Sequence, residues 1–413
     1  MTMSLVRTAL VALLLAGCGA SGDEKPELGA PPVFPVPGCE HIDHHPCDIR
    51  TSRCQERLMQ LAACLRGSEP LPVPTITTMT EEEFAAYLNA RFAEDPPPEP
   101  NPYEIALGML NLVQPGGLGQ EALVASDVEF VWGVYRRAEK DVLMVDHGVP
   151  ADDADPNSVL VHEFVHAMQD SDVDLQAFFD EFSTSYDSDL AAASVSEGEA
   201  RFHQTRFWSS LLGLDPANID WNEHFQSIAK YAEQDVLAAP SPYVATWSSF
   251  PYHFGARLVN HAWLESGPAG VDELFASPPT RTLDLMLSVS DIARTDWPAP
   301  EFSPIEPPDP WTLFTETSLG AWGLYLRFSR VLDAAYAHTL ALELRGDHLG
   351  VYVSGATPAE TAVVWQLEFS SEGFATQLET RVQNMSGSVL RSGNRVVLAR
   401  STGTTPLDWA LVP

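Results

Sequence analysis

The stretch "VLVHEFVHAMQD", residues 159–170, constrains this chain more than any other. In a helix, residues four apart lie one turn apart on the same face, so His162 and His166 aim their imidazole nitrogens at one point. Glu163 is rotated to the side, near enough to hydrogen-bond a water held at that point without entering the ligand set. The surrounding Val159, Leu160, Val161, Phe164, Val165, Ala167 and Met168 predict that this helix is buried. Two histidines and a glutamate in such a helix need partners to offset their desolvation, and a zinc ion is the most economical one. A chance HExxH in a chain of 413 residues has a probability on the order of 1%.

A catalytic zinc needs a third protein ligand and one open position. Continuation as HExxHxxGxxH is interrupted, because Gln169 and Asp172 stand where the glycine and third histidine would be, which leaves Asp172 a minor candidate. The segment "AAASVSEGEARFHQTRF" reads as a second helix and offers Glu197, Glu199 and His203. Within it, "SEGEA" resembles the E-G-x-A element of gluzincin metallopeptidases. That resemblance implies Glu197 as third zinc ligand and Gly198 as the point where two helices approach. Glu199 is the runner-up ligand or an acid facing substrate, and His203 falls outside the set.

More broadly, the chain resembles bacterial secreted or lipid-anchored proteins of the neutral zinc metallopeptidase type. The similar stretches are "VWGVYRRAEKDVLMV", "VHEFVHAMQD", "SEGEAR", "PYHFGARLVNHAWLESGPAGVDELFASPPTRTLDLM" and the later "GDHLGVYV" and "VVWQLEFSS", which together span most of residues 75–385. The resemblance implies a zinc-dependent metallopeptidase acting on a peptide or protein substrate, with Glu163 as general base toward a zinc-activated water. Tyr252 and His253, ahead of a helix, are candidates to stabilise the oxyanion or else pack at the helix start. The strand ending "VLMVD" is placed to pair with an extended substrate. The alternative function is a non-catalytic, lipid-anchored binding or envelope-maintenance module with a structural zinc closed by a fourth ligand such as Glu199. An intact Glu163 speaks against it, since a structural site has no use for a base there.

The N-terminus, "MTMSLVRTALVALLLAGCGA", has one basic residue and an apolar run too short to span a bilayer. Its "LLLAGC" resembles the lipobox of bacterial lipoproteins, which implies cleavage before Cys18 and acylation of that residue. The expected location is therefore an outer membrane or cell surface, anchored through acyl chains. Four more cysteines, Cys39, Cys47, Cys54 and Cys64, crowd into a short stretch, as expected for two disulfides in an exported protein. Of three pairings, the nested one, Cys39 with Cys64 and Cys47 with Cys54, is preferred. The competing reading is a metal cluster that adds His41, His44 and His45. With 57 acidic against 23 basic residues, a net charge of −34, the chain is not built to attract nucleic acid, and the surplus reads as a solvated surface.

These signals divide the chain into a signal peptide (1–17), a flexible tether (18–38), a disulfide-stapled helical segment (39–67), a zincin-like catalytic domain (75–297) and a C-terminal α/β subdomain (311–413). "PAPEFSPIEPPDP" is the internal boundary. The expected fold class is α+β, mainly helical, with a small sheet over the active-site helix. Thr80 and Glu83 mark a capping box, residues 128–146 a hairpin, and 52–66, 188–213, 252–266 and 319–337 helices. Strands are expected at "HLGVYVSG" and "AVVWQLEFS", with a final hairpin turning at "RSGNR".

Overall fold

The computed structural model describes residues 32–94, 96, 100–287, 300–302, 305–355, 360–383, 387–403 and 407. The expected signal peptide, Cys18 and most of the expected tether lie outside them. Residues 32–38 do not behave as a free tether: Val36 is buried, Val33 packs beside it, and both join the cluster containing Phe207 and Leu211. Two apolar side chains so close to the stapled segment gain more from burial than from staying in solvent.

Helix α1 (Ser52–Arg66) is capped by Thr51, whose side chain accepts from the Cys54 amide, and it ends at Gly67 in the left-handed conformation. The disulfides are nested, Cys39–Cys64 and Cys47–Cys54, so the cysteines hold each other rather than a metal. His44 accepts from the Val36 amide and donates to the Ile42 carbonyl, which also removes it from a Cys/His cluster. The staples point to a location outside the reducing cytoplasm. No helix among the described residues is long and apolar enough to cross a membrane.

Strand β1 (Ile76–Thr80) leads into helix α2 (Glu81–Glu94) through a reciprocal capping box between Thr80 and Glu83. Helices α3 (Pro102–Met109) and α4 (Gln120–Phe130) follow. The hairpin is shorter than expected, because Val128–Phe130 complete α4 and pairing starts only with β2 (Gly133–Arg136) and β3 (Asp141–Asp146). The three strands are ordered β1-β3-β2, with β1 parallel and β2 antiparallel to the central β3.

Helix α5 (Ala154–Val173) carries the HExxH motif and is buried over nearly its whole length. A short helix α6 (Leu175–Phe182) turns the chain into α7 (Tyr186–Leu211), which packs along α5. After a 3-10 turn come α8 (Trp221–Ala238), α9 (Pro242–Trp247), α10 (Phe250–Ser266), α11 (Pro268–Ala276) and α12 (Thr282–Met286). The tightest helix pair is α7 with α10. Their contact is glycine on glycine, since a Cβ on Gly198 would lie 2.4 Å from the Gly255 backbone and one on Gly255 2.1 Å from the Ser194 carbonyl.

The second sheet is wholly antiparallel in the order β4 (Trp311–Thr317), β5 (Leu344–Ser354), β6 (Glu360–Phe369), β8 (Arg395–Ser401), β7 (Ser388–Ser392). The helical stretch expected at 319–337 is two helices, α13 (Gly320–Ser329) and α14 (Ala334–Ala341), broken where Asp333 caps the second. Helix α15 (Glu372–Val382) connects β6 to β7. Among the described residues the class is therefore mixed α+β, mostly helical, with two small sheets. One apolar cluster runs from Leu107 and Leu190 through Phe254 and Trp322 to Trp365 and Leu378, so the segments on either side of the Pro-rich boundary share a core.

Candidate metal centre

Helix α5 holds His162 and His166 one turn apart with both rings buried, and α7 brings Glu197 across them. His162 Nε2 lies 3.0 Å from His166 Nε2, and Glu197 Oε2 lies 3.2 Å and 3.3 Å from the two nitrogens. These three side chains can hold a metal ion, and no other group of histidine, cysteine and acid ligand atoms converges in this way among the described residues. The Gly198–Gly255 contact fixes the height of Glu197 over α5, because any side chain at either glycine would wedge α7 away from α10.

The His166 tautomer follows from its neighbours. Gln169 Nε2 donates to the Ser196 carbonyl (2.9 Å) and to Glu199 Oε2 (2.9 Å), so its oxygen faces His166 Nδ1 at 2.8 Å. His166 Nδ1 must then carry the proton, which leaves the Nε2 lone pair aimed into the cluster. Burial opposes the charges at His166 and Glu197, but their mutual attraction wins, raising His166 and holding Glu197 below the usual carboxylate range. Such a cluster can take up a cation at its centre, either a proton or a metal ion.

Glu163 is buried beside the cluster and outside the ligand set. Burial raises its pKa, with His162 and His166 pulling the other way, and the Tyr135 amide of β2 hydrogen-bonds the carboxyl. The strand approaches this closely because residue 133 is glycine: a Cβ there would lie 3.0 Å from both Cγ and Oε1 of Glu163. The strand expected to face a substrate, β3, has no free edge, since it is paired on both sides. The edge strand beside Glu163 is β2.

Tyr252 stacks on His162 with ring centroids 5.9 Å apart. Burial and then the Glu197 and Glu163 carboxylates push its phenol up, and its hydroxyl hydrogen-bonds Glu197. His253 turns elsewhere. Its Nδ1 donates to the Ser249 carbonyl at 2.8 Å, and burial with help from Arg201 drives its pKa down to about 4, so the ring is neutral.

The remaining acids are used differently from what the sequence suggested. Glu199 accepts from Arg66 Nε at 2.8 Å and from Gln169, and Asp172 pairs with the same Arg66, so neither reaches the cluster. His203 is fully buried between Phe202 and Trp263, and burial pushes its pKa far down. Arg66, Gln169, Ser196, Gly133 and Arg201 were not singled out from the sequence. Only Gly133, a glycine inside a strand pattern, carried a local signal of close approach. No family model, curated protein or solved structure matches this chain.

Proposed function

We propose that the protein is a zinc-dependent metallopeptidase of gluzincin type, exported and held at a bilayer surface through acylated Cys18. The observation that carries this reading is the convergence of buried His162 and His166 with the half-buried Glu197, the carboxyl of Glu163 lying beside them but outside the set. Two imidazoles and one carboxylate form a donor set suited to catalytic zinc, which keeps a further position open. A zinc ion there would supply Lewis acidity, lowering the pKa of water toward neutrality and polarising the scissile carbonyl.

The chain's own residues do the rest. Glu163, with its raised pKa, takes a proton from the attacking water and returns it to the leaving amine. Tyr252, whose phenol stays protonated, donates a hydrogen bond to the oxygen where negative charge develops. The free edge of β2 offers backbone groups to an extended peptide alongside Glu163. Helix α5 below a three-stranded sheet, with α7 crossing behind it, supports a zincin-like unit in the first part of the chain. The alternative structural-zinc reading loses its fourth ligand, because Glu199 is taken up by Arg66 and Gln169.

The test is zinc content and casein proteolysis for wild type, Glu197→Ala and Glu163→Gln. One zinc per chain, lost or weakened in Glu197→Ala, together with hydrolysis reduced about 100-fold or more in zinc-loaded Glu163→Gln, is the expected result. A wild-type protein that binds no zinc would sink the proposal.

A further inference from the structure

The chain has 57 acidic residues, and several arginines find a carboxylate. Arg66 has two, and Arg136, Arg391 and Arg395 are paired as well. Arg201 has none. Its one hydrogen-bond partner is the neutral Gln204 amide, which accepts from NH1 at 3.0 Å, and its Nε is buried without any partner. Nor does it lie over an aromatic ring, unlike Arg206, which covers Phe202 and Trp263. A guanidinium stays charged, so an unpaired one at a largely enclosed position lacks an anion.

Its position says where that anion comes from. Arg201 follows Glu197 by four residues on α7 and therefore shares its face. Its charge is felt at Tyr252 and His253 of α10 and at His224 of α8, so the guanidinium lies in their neighbourhood. The residue as a whole is only partly covered, although its Nε is buried.

We infer that Arg201 is a specificity residue that binds a carboxylate of the substrate close to the scissile bond, so that acidic peptides are selected. The inference rests on the peptidase reading for the word substrate, whereas the carboxylate site stands on Arg201 itself. Two sources share this chemistry, an Asp or Glu side chain and the terminal carboxylate of the peptide. A guanidinium donor matches either carboxylate.

The experiment uses the zinc-loaded full chain carrying Glu163→Gln, which keeps peptides intact, and measures binding by calorimetry. The probes are an acetylated, amidated neutral pentapeptide, the same peptide with Glu at each position in turn, and the same peptide with a free terminal carboxylate. At least one charged peptide is expected to bind about tenfold or more tightly than the neutral one, which identifies the source. Adding Arg201→Gln should remove that preference while leaving zinc content and neutral-peptide affinity unchanged. Equal binding of charged and neutral peptides, or a preference that survives Arg201→Gln, overturns the inference. If Arg201→Gln fails to retain zinc, Arg201→Lys decides: a reduced preference supports the site, and unchanged affinity for the charged peptide overturns it. Failure of the wild type to hydrolyse any peptide would count against the peptidase reading alone, since the binding preference is read separately.

Discussion

Helix α7 carries two carboxylates in opposite situations, Asp187 buried and Glu197 half-buried. Near its start, Asp187 accepts from the Thr282 amide (2.8 Å) and hydroxyl (2.5 Å). The neighbouring Asp347 accepts from Ser318 Oγ, the Leu319 and Gly320 amides and Trp365 Nε1, at 2.5 to 2.9 Å. Three turns further on, Glu197 meets the Nε2 atoms of two imidazoles, and His162 Nδ1 is buried without a partner. The first cluster is completed by protein donors and fastens α7 to the second sheet. The second sets one carboxylate against two imidazoles and the Tyr252 hydroxyl, a group that can hold a metal ion. Burial and charge alone do not separate structure from site; the balance of donors and acceptors does.

The largest expected effect tests the finished cluster. Asp347→Ala strands four donors, each costing about 1–3 kcal/mol, so a loss on the order of 4 kcal/mol or more in urea unfolding is expected. A loss below about 1 kcal/mol would remove the contrast. Next, stripping metal from the other cluster with a chelator should lower stability by about 3–4 kcal/mol relative to protein in zinc at 100 to 1,000 times its dissociation constant. The same treatment should leave the melting temperature of Glu197→Ala almost unmoved.

A smaller effect follows from protonation. Burial, reinforced by Asp347 and opposed by the Thr282 donors, pushes Asp187 up to about 7. A carboxyl that holds its proton more tightly when folded contributes stability that is complete below its unfolded pKa and fades as pH rises through about 7. Stability should therefore fall between pH 5 and pH 7, by at most about 1.4 kcal/mol per unit, and Asp187→Asn should flatten the slope. Thermal melts across that range check it, and a slope of opposite sign would refute the assignment. The smallest effect separates the two staples. Loops of 25 and 7 residues imply stabilisation of about 3.5 and about 2.4 kcal/mol, so replacing Cys39 and Cys64 should cost about 1 kcal/mol more than replacing Cys47 and Cys54.

The helices of α5, α7 and α10 were legible because their apolar patterns are long. His162, Glu163 and His166 were legible because one helical turn is a fixed distance. Glu197 was placed by resemblance, and the structure brings it to the same point. What was hidden depends on contacts between distant segments. Nothing near residue 66 says that an arginine ending one helix will meet Glu199, and nothing near residue 201 says that another arginine will meet no acid at all. The hairpin was overextended because Val128–Phe130 alternate apolar and polar residues yet finish a helix, where periodicity over so few positions cannot decide. Likewise β3 was expected at an edge, since strand order is a property of the assembled sheet.

Arg66 closes one further question, about where this protein can be cut. It leaves the stapled helix to neutralise Glu199, which holds Gln169, which in turn sets the proton on His166. A recombinant chain trimmed to begin after residue 67 would keep every metal ligand. It would also leave the Glu199 carboxylate enclosed with no counter-charge and the ligand tautomer unguarded. The stapled segment therefore supplies a side chain of the interior of the rest of the molecule.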